Sequence, residues 1–211
     1  MSKSIAVLGL GKYGISLAEN LYLMGADVLA VDKDKDLIDD FAGKCTSAVC
    51  ANLENEDEVE ALGLKNMDIV VSCTGNLAAA IMAVAVAKEN NVPLIVAKSS
   101  SERMSSILLK IGVDKILDPE GEGGRRSARI LLSSFYKDYY EIDSNLYIIE
   151  MYPKAEWIGK NLIELDLRKK NKMNVIGIRE KGQKWGFSSP QIPITKDMVL
   201  LIAMEKKELY K

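Results

Sequence analysis

Apolar residues follow two rhythms along the first two-thirds of this chain, and the rhythms alternate. Ile5 to Gly9 is a continuous apolar run, the pattern of a strand buried on both faces. From Tyr13 to Met24 the spacing is helical, with Ile15, Leu17, Ala18, Leu21 and Leu23 apolar and Gly25 as the stop. Val28 to Val31 predicts a second strand, closed by the charged run Asp32 to Asp36, and a helix follows to Ala42. The alternation continues through strands at Ala48 to Cys50, Met67 to Cys73, Leu94 to Ala97 and Lys115 to Leu117. Helices are predicted between them at Glu54 to Leu62, Leu77 to Asn90 and Ser101 to Ile111. Such repetition predicts an α/β fold: a Rossmann-type, doubly wound parallel sheet with helices on both faces.

After Gly124 the pattern changes. Ala128, Leu131, Leu132, Phe135, Tyr136 and Tyr139 share one helical face, which predicts a long amphipathic helix over 126–140. Beyond it come strands at Leu146 to Tyr152, Val175 to Arg179 and Val199 to Met204, a helix at Leu162 to Lys170, and a hairpin turn at Lys181-Gly182. This reads as a small α+β C-terminal domain over 141–211, following a nucleotide-binding domain with its crossover helix over 1–140. The basic run Arg168 to Lys172 reads as a solvated helix end, where cations are favoured.

Composition narrows the function. The 211 residues are 48% apolar and 27% charged, with a net charge of -2, so no global field argues for nucleic-acid binding. No segment reads as a membrane span or a signal peptide, because Leu77 to Lys88, the most apolar stretch, is too short. There is no histidine, and Cys45, Cys50 and Cys73 show no metal-binding spacing, so they read as reduced thiols of a cytosolic protein.

The candidate chemistry lies at the first strand end. Gly9-Leu10-Gly11-Lys12-Tyr13-Gly14 matches G-x-G-x-x-G after a strand and opens a helix. Gly9 allows the tight turn, Gly11 lets backbone approach a pyrophosphate, and Gly14 lets the helix pack on the sheet. Free N–H groups at the helix start favour phosphate. Asp32, with Lys33 beside it, ends the second strand where a carboxylate accepts hydrogen bonds from a ribose diol. Ala51-Asn52 and Thr74-Gly75 end the third and fourth strands at the same crevice, where they read equally as turn residues. Lys98 ends the fifth strand and Glu120 follows the sixth; taken alone, each reads as a surface charge. No P-loop is present, and no catalytic acid, base or nucleophile stands out, so the chain reads as a binding protein rather than an enzyme. An NAD-dependent oxidoreductase of unknown substrate is the alternative reading, and a stand-alone metabolite sensor is another.

Taken together these residues resemble the RCK family, the regulatory subunits of Trk/Ktr-type potassium uptake systems, built of TrkA-N and TrkA-C domains. The first domain carries the resemblance on Val7 to Gly14, Val28 to Asp32, Ala51-Asn52, Ile69 to Val71 with Gly75, Val96 to Lys98, Lys110 to Asp114 and Pro119-Glu120. The second carries it on Ile158 to Leu162, Leu165 to Arg168, Val175 to Arg179 and Asp197 to Leu201. The resemblance implies a cytoplasmic homodimer, often assembled into an octameric ring beneath a membrane potassium channel or transporter. Bound ATP, ADP, NAD or NADH would then alter potassium flux. It is closest to the Ktr branch, which favours ATP and ADP, and there Lys98 and Glu120 match nucleotide-site positions. Glu120 is the position associated with a cation (Mg2+, Ca2+ or Na+) near the phosphates. Lys12 stands where that branch usually has Arg, keeping the charge without the bidentate fork. Some relatives bind cyclic di-AMP in the second domain, near the positions of Ile176, Ile178 and Pro193, which here read as core and turn residues.

Overall fold

The six apolar runs of the first part pair side by side in parallel. The structure is a computed structural model that describes residues 2–132, 136–180 and 182–208. Strands β1 (Ser4–Leu8), β2 (Asp27–Asp32), β3 (Ser47–Cys50), β4 (Ile69–Ser72), β5 (Leu94–Lys98) and β6 (Lys115–Leu117) form one sheet in the order β3-β2-β1-β4-β5-β6. The order reverses between β1 and β4, where successive crossovers leave in opposite directions and a crevice opens at the carboxyl ends. Helices α1 (Lys12–Leu23), α2 (Lys35–Phe41), α3 (Glu56–Ala61), α4 (Leu77–Glu89) and α5 (Glu102–Lys110) connect the strands.

The two-residue period of each strand divides the burial between two faces. Ala6, Leu8, Val70 and Ile95 pack with Val59 of α3, the alanines of α4 and Leu108 of α5. Ile5, Val7, Val28, Ala30 and Val71 pack with Ala18 of α1 and with Ile38 and Phe41 of α2. Both faces are therefore covered, which is why the strands read as unbroken apolar runs. Helix α4 can lie close to the sheet because four of its six buried positions are alanine: Ala79, Ala80, Ala83 and Ala87. Asn76 caps it, its side-chain oxygen accepting from the Ala78 and Ala79 N–H groups at 2.8 and 3.2 Å.

Helix α6 (Pro119–Leu132) follows β6, and the chain divides into two compact units at Gly121/Glu122. The second unit is an antiparallel sheet of β7 (Tyr136–Glu141), β8 (Leu146–Met151), β9 (Met173–Glu180), β10 (Gly186–Phe187) and β11 (Met198–Glu205), in the order β10-β9-β11-β8-β7. Tyr147, Ile149, Met151, Leu200, Ile202 and Met204 are fully buried in its core.

Two expectations need correction here. The helix foreseen over 126–140 is described from Pro119 to Leu132, and Tyr136–Glu141 is a strand; residues 133–135, Phe135 among them, lie outside the described residues. The supposed apolar face is not buried as one, since Leu131 and Leu132 are 84% and 89% exposed. Tyrosine-rich sequence favours a strand, and charge ties that strand to the helix within the second unit. Arg126 donates from Nε to Asp138 at 2.9 Å and makes a second contact to the same carboxylate, while Arg129 lies over the rings of Tyr139 and Tyr147. The Arg126 guanidinium holds the Asp138 carboxyl below its usual range. Strand β7 pairs with β8 inside the second unit. The helix expected over 162–170 is two short ones, α7 (Leu162–Leu165) and α8 (Leu167–Asn171), separated by Asp166 in a left-handed conformation. Of the foreseen hairpin turn, Gly182 has φ +81 and Lys181 lies outside the described residues.

The alanine surface of α4 yields a test. Ala83→Leu adds three carbons where helix and sheet already touch, and should cost ~1–3 kcal/mol of stability. Urea unfolding checks this, and an unchanged midpoint would mean that α4 does not pack closely.

Candidate nucleotide site

Close backbone approach builds the crevice between β1 and β4. Gly9 has φ +101, and its N–H donates to the Val31 carbonyl at 2.8 Å. A side chain at Gly9 would start 2.9 Å from the Thr74 nitrogen, and one at Gly14 would start 2.0 Å from the Gly9 carbonyl oxygen. These two glycines let the turn, the first turn of α1 and the end of β4 occupy one small volume. Gly11 differs: a Cβ there would meet nothing within 4 Å. Packing does not require Gly11, and the open space there would let a ligand approach the backbone.

The start of α1 suits an anion. Gly11 provides no side-chain cap, no acidic residue lies in the first turn, and Lys12 is exposed there. The open Gly11 surface, the uncapped helix start and Lys12 together fit a phosphate-bearing ligand.

Asp32 ties the parts together. One carboxylate oxygen accepts from the Leu10 N–H at 2.7 Å and the other from the Asp34 N–H at 3.1 Å. A carboxylate expected only to meet a ribose thus also holds the glycine turn to the end of β2. Replacing Asp32 would disturb the turn as well as any ligand contact.

The remaining candidates divide between framework and open crevice. Leu10, Gly14 and Ala51 are buried. The Ala51 N–H donates to the Asp32 carbonyl at 2.9 Å, and Tyr13 packs among the residues under α1. Asn52 uses its side-chain oxygen on the Glu54 N–H at 3.1 Å, and Thr74 accepts from the Asn76 N–H at 3.1 Å, which is turn chemistry. Lys33, Asn52 and Gly75 are exposed, and Gly75 has open space about its Cα.

Lys98 and Glu120 are brought together. The Lys98 ammonium lies 2.5 Å from Glu120 and is largely buried, with a side chain 17% exposed. Its hydrogen bond holds the Glu120 carboxyl below its usual range. Among the described residues no group of three or more His, Cys, Asp or Glu side chains could hold a metal ion. Asp118 acts on the same carboxyl in the opposite sense, so Glu120 stands between an ammonium and a second carboxylate.

Two participants escaped sequence reasoning. Cys73 lies under the turn, 3.3 Å from where a Gly14 Cβ would be, and burial pushes its thiol up to about 12. It is filler of the right size, and nothing in its spacing signals that. Asp118 accepts from the Gly121 N–H at 2.9 Å, and the sequence Asp118-Pro119 at a helix start was a readable sign.

The family model described as the TrkA-N domain matches residues 5–119. Ktr system potassium uptake protein A of Bacillus subtilis is 30% identical over 209 residues, covering 99% of this chain and 94% of that protein. Ktr system potassium uptake protein C of the same organism is 32% identical over 180 residues, covering 85% and 81%. Among solved structures, the GsuK RCK domain superposes with a TM-score of 0.69 at 15% identity, over 100% of this chain and 46% of that one. The GsuK channel bound to NAD gives 0.68 at 15%, over 99% and 38%. At such identities the likeness is one of fold, and this chain spans less than half the length of either GsuK chain. No helix among the described residues is long and apolar enough to cross a membrane.

The glycines make opposite predictions. Gly14→Ala forces a backbone clash and should destabilise by about 3 kcal/mol. Gly11→Ala should change stability by less than about 1 kcal/mol, since only a helix-start preference is altered. Thermal unfolding of both variants reads the difference, and equal losses would contradict the assigned packing.

Proposed function

This chain belongs to the TrkA-N family, and we propose from that premise that it is a nucleotide-binding regulatory subunit of a potassium uptake system, gating a membrane-embedded partner in response to ATP and ADP. The observation that carries the reading is the pairing of a glycine required by packing, Gly14, with one that packing leaves open, Gly11, at an uncapped helix start. Resemblance along almost the whole chain to Ktr potassium uptake proteins supports the regulatory role. A GsuK channel of like fold has been solved bound to NAD, and NAD or NADH is the alternative here.

In this proposal the backbone at Gly9 to Gly14 and the Lys12 ammonium hold the phosphates, and Asp32 receives the ribose beside its bonds to the turn. Lys33, Asn52 and Gly75 border the base and sugar. Lys98 then distinguishes the ligands. Its present partner is the Glu120 carboxylate, and a further phosphate competes for the same ammonium. A ligand shifts an equilibrium only by its difference in affinity for the two states. A charge exchange at the first turn of α6 supplies such a difference between triphosphate and diphosphate. A homodimer, assembled further into a ring beneath the transporter at the inner face of the membrane, is the assembly proposed.

Calorimetric titration with ATP, ADP, NADH and NAD tests this. ATP and ADP should bind with different affinities, and Gly11→Val should weaken both at least tenfold, a loss of about 1.4 kcal/mol, while its melting temperature stays near that of the parent. Undiminished binding to that variant would refute the site, and a preference for NADH or NAD would replace the ATP/ADP assignment with redox sensing.

A further inference from the structure

A chain of polar contacts ties together two loops at the rim of the crevice. These are the loops after β3 and β4, which carry Asn52 and Gly75. Between those two strands stand β2 and β1, whose ends hold Asp32 and the glycine turn. Helices α3 and α4 follow the two loops and pack beside each other on one face of the sheet. Between the loops, the Asn76 side-chain nitrogen donates to the Glu54 carboxylate at 2.9 Å. That bond bounds the crevice on the side of α3 and α4.

Both ends of the bond are themselves held. Glu58 accepts from the Asn52 N–H at 2.7 Å and from the Asn55 side chain at 3.0 Å, and the Asn52 side chain accepts from the Glu54 N–H at 3.1 Å. On the other side, the Asn76 N–H donates to the Thr74 hydroxyl at 3.1 Å, and its side-chain oxygen caps α4. The identity of residue 76 follows from this double duty. Serine and aspartate cap a helix as well as asparagine does. Of the three, only asparagine caps with an oxygen while keeping an amide N–H to give to a carboxylate. Hydrogen bonds to an ionised carboxylate are among the stronger kinds.

We propose that Glu54 and Asn76 are positioning residues for the nucleotide: their bond fixes the gap between the two loops and so holds Asn52 and Gly75 against the base and sugar. The pair acts through the loops rather than by contact with the ligand. The inference rests on the nucleotide reading above.

Calorimetric titration of the intact chain with ATP tests this. Glu54→Ala and Glu54→Gln remove the same charge, but glutamine keeps an oxygen that accepts from Asn76. Glu54→Ala should weaken ATP binding about fivefold, the scale of one hydrogen bond, while Glu54→Gln should stay within about twofold of the parent. Asn76→Asp keeps the helix cap but sets two carboxylates face to face, and should weaken binding at least as much as Glu54→Ala. Combining Glu54→Gln with Asn76→Asp reverses the bond, glutamine donating to aspartate, and should restore the affinity. Melting temperatures should stay near that of the parent, and amide exchange over 52–55 should quicken in Glu54→Ala and Asn76→Asp alone. Undiminished binding by Glu54→Ala, equal losses in Glu54→Ala and Glu54→Gln, or no recovery in the reversed pair would overturn the proposal and leave the nucleotide reading standing. A parent that binds none of ATP, ADP, NADH and NAD would overturn both.

Discussion

The candidate site depends on backbone meeting backbone at the end of β1. The Gly9 carbonyl lies so near the first turn of α1 that a methyl group at Gly14 would sit 2.0 Å from its oxygen. The same turn meets the end of β4 so closely that Gly9 has no room for a side chain. Asp32 then locks the turn from the other side by accepting the Leu10 N–H. Three strand ends are thereby held at one point, and α1 is aimed so that its free N–H groups face the crevice. Little of this rests on side-chain chemistry. The fold positions a concentration of peptide dipoles, and a few charges at Lys12, Asp32 and Lys98 surround it.

Much of the first unit was legible because each of its strands is buried on two faces. The apolar runs were unambiguous, and their alternation with helical spacing led to the doubly wound sheet with nearly the observed boundaries. A short polar residue marks two helix starts, Asn76 before α4 and Asp118 before α6, but the helix expected over 126–140 missed the second. The α6–β7 region was not legible. Its apolar residues have helical spacing through Tyr139, and what ends the helix is partly non-local: pairing of β7 with β8 and the Arg126–Asp138 contact. Spacing within one segment carries no information about a partner strand. Likewise the break at Asp166 is a left-handed residue that no glycine announced.

Among the candidate site residues the structure separates two kinds of surroundings. Gly9, Gly14, Leu10 and Ala51 belong to the framework, while Gly11, Lys12, Lys33, Asn52 and Gly75 remain accessible. The motif gives Gly14 to helix packing and Gly11 to ligand approach, and the coordinates add a close contact at Gly14 against open space at Gly11. The Lys98–Glu120 contact also needed coordinates, since the two residues approach only when β5 and β6 are paired in register. With Lys98 engaged by Glu120, the proposed nucleotide phosphate would compete with a carboxylate for one ammonium, which would couple ligand charge to the start of α6.

The measurement that bears most directly on this account is amide hydrogen exchange of the intact protein with and without ATP. The account predicts slowed exchange at Gly11 to Gly14 and at the ends of β2 and β4, since those N–H groups surround the proposed phosphate and ribose positions. Protection confined to the second unit, with the glycine turn exchanging as it does in the free protein, would contradict it and place the nucleotide elsewhere.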